Sequence, residues 1–174
     1  MSKELSFNYF CDVLISRYDE LWLEFVYKDS SERFWRLGIM KMLFFAVVSE
    51  TWNKTKLLEI FNNWSALPNG PVELDCYNFI RDYSFSTDGD FEELLHKRKL
   101  KTVGIWGDEI ALIKKAIESI PTILFTKKTF ELVELSHRYK SWRDNFQIAL
   151  SHNSRAHTIK VEEIKNESIL EVLF

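Results

Sequence analysis

Apolar residues recur at helical spacing in several separate runs of the chain. Across residues 7–27, Phe10, Val13, Leu14, Tyr18, Leu21, Trp22 and Phe25 fall three and four apart, which predicts an amphipathic helix. The polar break Lys28-Asp29-Ser30-Ser31-Glu32 offers a serine to cap the next segment. Across 34–51, Leu37, Met40, Phe44, Phe45 and Val48 keep the helical spacing while apolar residues fill the other faces as well. A helix apolar nearly all round belongs in the middle of a bundle. Lys41 interrupts that run, and the pattern predicts an ammonium that snorkels past aliphatic neighbours to water.

Residues 56–64 predict a short helix with Leu57, Leu58, Phe61 and Trp64 on one side. Pro68-Asn69-Gly70-Pro71 then breaks the pattern, in a chain with only three prolines and five glycines. Asn and Gly tolerate positive φ and Pro71 suits the first turn of a helix, so a corner between two helices is predicted, the second over 72–83. "SFSTDGD" (84–90) reads as a loop, 91–100 as a short helix, and 110–120 as a periodic helix ended by Pro121. "TILFT" (122–126) is the one strand candidate. Helices follow over 129–139 and 142–150, then "SHNSRAH" (151–157) as a mobile polar linker, then a last helix over 161–174. Clear β-alternation and fixed-period repeats are both missing. The predicted fold class is all-α, a compact multi-helix domain of about seven to nine helices with little or no β-structure.

Composition narrows the function classes. A length of 174 residues supports one substantial core. Aromatics reach 15%, with 14 Phe and 6 Trp, enough to fill a core and to supply an exposed anchor for a partner. With 23 basic and 26 acidic residues the net charge is -3, without the basic excess of a dedicated nucleic-acid binder. The cationic run His96-Lys97-Arg98-Lys99-Leu100-Lys101 reads as a solvated face, so nucleic acid is disfavoured as a partner. Cys11 and Cys76, far apart and without CxxC spacing, read as buried thiols in a reducing compartment. Met1-Ser2-Lys3-Glu4-Leu5 lacks a signal-peptide pattern, and the apolar stretch 42–48 is too short to span a bilayer. A cytoplasmic protein with no membrane partner is expected.

The chain carries no phosphate-binding or dinucleotide loop, no zinc-protease or nucleophile-elbow motif and no calcium loop. His152 and His157 are five apart and lack a nearby acidic third ligand, so no metal site is assigned. Ser136 and His137 are adjacent, and neighbours on a helix diverge by about 100 degrees, which keeps them from acting as nucleophile and base. His137 near a helix end suits a polar contact that fixes how two helices meet. Glu73, Asp75, Asp88, Asp90, Glu92 and Glu93 form no recognisable catalytic arrangement and read as solvated carboxylates. No catalytic residue and no cofactor are assigned, and an enzyme is not expected.

Three stretches together carry a resemblance. "IMKMLFFA" (39–46) resembles the opening helix of the Panacea domain of SocA-type antitoxins, where a lysine precedes an apolar run; here these are Lys41 and Phe44. "FNNWSALPNGPVELDCYNFIRD" (61–82) is similar to that family's segment in which a tryptophan is followed by Gly-Pro-Val and then a tyrosine; here Trp64, Gly70, Pro71, Val72 and Tyr77 match. "LVELSHRYKSWRDNF" (132–146) resembles the late segment with Ser-His followed by Trp; here Ser136, His137 and Trp142 match. Asn69 departs from the pattern, since an aromatic commonly precedes the Gly-Pro, and the aromatic insertion after the first helix is reduced to 47–53.

The resemblance implies a helical antitoxin that neutralises a cognate toxin protein by direct binding, with delivery of the toxin to a protease in some members. It implies three parts: an N-terminal helical extension (1–33), the Panacea-like domain (34–150), and a polar linker with a C-terminal helix (151–174). Trp22, Phe25, Phe91 and Trp106 lie away from the motif residues and are candidates for partner binding. The alternatives are an adaptor or phage inhibitor binding a host protein through the same scaffold, a hydrolase using His137, and a DNA-binding autorepressor.

Overall fold

The computed structural model describes residues 2–21, 23, 32–84 and 107–170, less the side chains of 32–35 and 82–84. Nine helices and three short strands lie among the described residues. In chain order they are α1 (Lys3–Glu20), α2 (Glu32–Ser49), α3 (Lys54–Ile60), β1 (Trp64–Leu67), β2 (Gly70–Glu73), α4 (Leu74–Ser84), α5 (Gly107–Glu118), α6 (Thr122–Phe125), α7 (Thr129–Ser136), α8 (Lys140–Ser151), β3 (His157–Ile159) and α9 (Val161–Lys165). The chain is mainly helical, as its periodicity predicts.

α2 is the hub. Every residue from 38 to 50 is buried, because α3, α4, α5, α7 and β2 all pack on this helix. α1 lies along α5 and α4 and puts Phe7, Phe10, Cys11, Leu14 and Tyr18 into the same core. Phe10 meets Phe61 edge-on at 6.4 Å, and Tyr18 meets Phe125 at 4.9 Å. The N-terminal helix and the central helix thus bury one continuous apolar surface, the dominant favourable term in folding. Cys11 and Cys76 are both free and buried within it.

The three strands form one antiparallel sheet in the order β2-β1-β3. The predicted helix corner at Pro68-Asn69-Gly70-Pro71 is therefore a β-hairpin. Trp64 pairs with Glu73 and Leu67 with Gly70, leaving Pro68 and Asn69 at the tip. Gly70 takes φ 97°, while Asn69 does not adopt positive φ. Proline first and left-handed glycine last is the residue order of a type I turn followed by a glycine bulge. Pro71 starts no helix; it lies in β2, an edge strand, where its missing N–H is tolerated. The strands escape the period-two test because β2 packs on α2 and β1 on α8, so nearly every position is buried.

Two other segments differ from expectation. "TILFT" forms the single-turn helix α6, with Leu124 and Phe125 turned into the core and Pro121 preceding it at φ -56°. "SHNSRAH" is no mobile linker. Asn153 adopts φ 54°, Ser154 N–H donates to Ala149 O (2.9 Å) and Asn153 N–H to Leu150 O (3.0 Å), closing α8 in a Schellman motif. His157 then enters β3, opposite Ala66. The last helix over 161–174 begins as expected, but α9 itself ends at Lys165.

Candidate functional site

The hairpin gathers residues from three distant parts of the chain. Lys41 comes from the middle of α2, Gly70 and Pro71 from β2, Ser136 from the end of α7, and Trp142 from the first turn of α8. Lys41 does not reach water. Its side chain is completely buried, and Nζ donates a 2.8 Å hydrogen bond to Pro71 O. α7 and β2 close over α2 on the side a snorkelling ammonium would need. Burial holds the amine well below the ordinary lysine value.

Gly70 is where these groups meet. A Cβ built there would stand 2.3 Å from Ser136 Oγ and 2.7 Å from Lys41 Nζ. Both its φ and this close approach therefore demand glycine. Ser136 is fully buried, and its hydroxyl donates to Val133 O at 2.7 Å. That bond turns the hydroxyl back onto its own helix, away from His137.

His137 caps α7 and leaves in another direction. Its ring stacks on Trp142 with centroids 3.9 Å apart and planes 11° apart, and Trp142 stacks in turn on Phe146 at 5.1 Å. Trp142 Nε1–H donates to Leu67 O (2.9 Å), tying α8 to the end of β1 beside the hairpin tip. His137 Nε2 is buried without a hydrogen-bond partner. Burial, and next the Lys41 charge, hold the imidazole below its ordinary value; Glu134 and the Pro68 backbone act the other way. The arrangement is a clamp that holds the hairpin against α2, α7 and α8.

The rest of the motif set lies in the adjoining core. Phe44 packs edge-on against Trp64 (5.7 Å) and Tyr139 (4.9 Å), and Trp64 Nε1–H donates to Phe61 O at 2.7 Å. Val72 is buried, and Tyr77 is half-buried against the core. Trp22, Phe25, Phe91 and Trp106 lie outside the described residues, as do the cationic run 96–101 and the carboxylates at 88–93.

Glu73 contradicts its reading as a solvated carboxylate. It is fully buried at the end of β2, where Oε1 accepts from Asn63 N–H (2.9 Å) and Lys3 Nζ (2.8 Å) and Oε2 from Cys76 N–H (2.8 Å). It thereby caps α4 and fixes the entry to β1 together. Lys3 also reaches Asp75 at 2.5 Å, and these two carboxylates raise its proton affinity against the opposing effect of burial. Burial, then Glu73, push the Cys76 thiol well up, which leaves it protonated and inert.

Trp52 is a surface residue that periodicity does not single out. Its ring is 86% exposed, while its backbone N–H is held by Glu50 Oε1 at 2.8 Å. The only signal in the sequence is its polar setting, Thr51-Trp52-Asn53-Lys54, directly after the apolar run of α2. Among the described residues no group of three or more His, Cys, Asp or Glu side chains is arranged to hold a metal ion. Nor, among the described residues, is any helix long and apolar enough to cross a membrane. Comparison with protein-family models, curated proteins and solved structures finds no match to this chain.

Proposed function

We propose that this chain is an antitoxin-like protein that neutralises a cognate toxin by direct protein–protein binding, with handover of the toxin to a protease as a further step. The observation that carries this reading is the convergence of Lys41, Gly70, Pro71, Ser136, His137 and Trp142 on one hairpin. These are the residues on which the resemblance to the Panacea domain rests, and they come from segments far apart in the chain. Their roles are architectural: the hydroxyl, the amine and the indole N–H each bind a backbone carbonyl. A buried clamp suits a scaffold whose surfaces, rather than an active site, do the work. Trp52 is an exposed aromatic of the kind that anchors interfaces.

A hydrolase using His137 has less support, because the neighbouring hydroxyl is committed to Val133 O. Co-expression with the product of the adjacent open reading frame tests the proposal. Restored growth and a co-purifying complex are expected. Failure both to bind and to rescue overturns it, and capture of a host protein with no toxin encoded nearby moves the reading to an adaptor.

A further inference from the structure

We propose that Asn69-Gly70 at the hairpin tip is a deamidation site gated by the clamp: it converts when the tip lifts off, and the isoaspartate product keeps the tip from docking again. In an asparagine–glycine pair the backbone nitrogen reaches the side-chain amide easily, because glycine puts no Cβ in the way. The Gly70 nitrogen attacks Asn69 Cγ; the N–Cγ bond forms and the Cγ–Nδ2 bond breaks. Ammonia leaves with the proton of the Gly70 amide, and a cyclic succinimide remains. Water opens that ring at either carbonyl to give aspartate or isoaspartate, with nothing oxidised or reduced.

Asn69 is exposed at the tip, so water reaches its amide freely. The Gly70 nitrogen is the guarded partner. Pro71 has no N–H, so the Ala66–Pro71 pair cannot exchange both hydrogen bonds, and by antiparallel alternation the Leu67–Gly70 pair does. Gly70 N–H thus donates to Leu67 O, the carbonyl that also accepts Trp142 Nε1–H at 2.9 Å. The Pro71 carbonyl turns outward onto Lys41 Nζ at 2.8 Å, as that alternation requires.

Attack needs a rotation about the Asn69 Cα–C bond that carries the Gly70 α-carbon with it. That carbon is hemmed in: a Cβ built on it would stand 2.3 Å from Ser136 Oγ and 2.7 Å from Lys41 Nζ. The docked hairpin therefore blocks the reaction, and local opening of the tip permits it. Isoaspartate routes the main chain through the former side chain, which adds a backbone carbon and a negative charge before Gly70. The tip then no longer fits the Leu67–Gly70 register, and Gly70 cannot return to the point where Lys41 and Ser136 meet. The modification marks molecules whose clamp has opened, and it holds whatever the chain binds.

The test is incubation of the full chain in mildly alkaline buffer, with peptide mass spectrometry of the Asn69 segment and enzymatic detection of isoaspartate. Conversion in native buffer is expected to be at least about tenfold slower than in guanidinium chloride at matched ionic strength. Trp142→Phe, which keeps the ring stack but removes one donor from Leu67 O, speeds native conversion by about two- to tenfold. The isoaspartate form, isolated by ion exchange, unfolds at lower denaturant than Asn69→Asp, which carries the same charge on an ordinary backbone. Equal rates in native buffer and denaturant, or in wild type and Trp142→Phe, overturn the gate. An isoaspartate form as stable as Asn69→Asp overturns the block on docking.

Discussion

Lys41 and Glu73 are both completely buried, and both serve strand β2, one near its start and one at its end. Glu73 is surrounded by three donors from two backbone amides and a lysine. Lys41 has a single carbonyl acceptor. A buried charge persists where enough partners replace its water; one with a single neutral partner gives up its proton instead. The two ends of one four-residue strand thus use ionisable side chains oppositely, Glu73 as a cap held by three donors and Lys41 as an amine whose proton affinity burial pushes well down.

The comparison breaks most visibly at Glu73. Glu73→Ala leaves Lys3 without a buried partner and two backbone amides unpaired, and urea unfolding should register a loss of about 3–5 kcal/mol. Gly70→Ala acts on the Lys41 end, where the new methyl meets Ser136 Oγ and Lys41 Nζ and the backbone keeps a left-handed φ. A loss of about 2–4 kcal/mol is expected, measured the same way. Trp142→Phe keeps the ring stack on His137 but drops the bond to Leu67 O, for a loss of about 0.5–1.5 kcal/mol in thermal or urea unfolding. Lys41→Met is the smallest. It matches the shape and removes the desolvated amine while leaving Pro71 O unpaired, so stability at pH 7 changes by less than about 1.5 kcal/mol in either direction.

These residues also mark how far the sequence could be read. The helices were legible because α1, α2, α5 and α8 each repeat apolar residues at three and four, and the burial of α2 followed from apolar residues on all its faces. The hairpin was not legible, for two reasons. Its four-residue strands are covered on both sides, and β3, which completes the sheet, arrives from residues 157–159. Lys41, Gly70 and Ser136 could be listed from the motif resemblance, but their meeting at one point depends on that sheet. Glu73 looked like any exposed carboxylate, since its donors Lys3 and Asn63 are set by tertiary packing.

The state of Lys41 decides whether the clamp is scaffold built around a neutral amine. Its folded-state proton affinity lies below the ordinary lysine value of 10.5, so between those two values unfolding takes up a proton. Stability therefore rises with pH up to that ordinary value and is lost as pH falls toward the folded one, by on the order of 1 kcal/mol per pH unit for one such group. The direct measurement is the unfolding free energy of the wild type and of Lys41→Met at pH 7 and pH 9. A wild type that gains stability relative to Lys41→Met between the two is the predicted result; parallel pH dependences would contradict it.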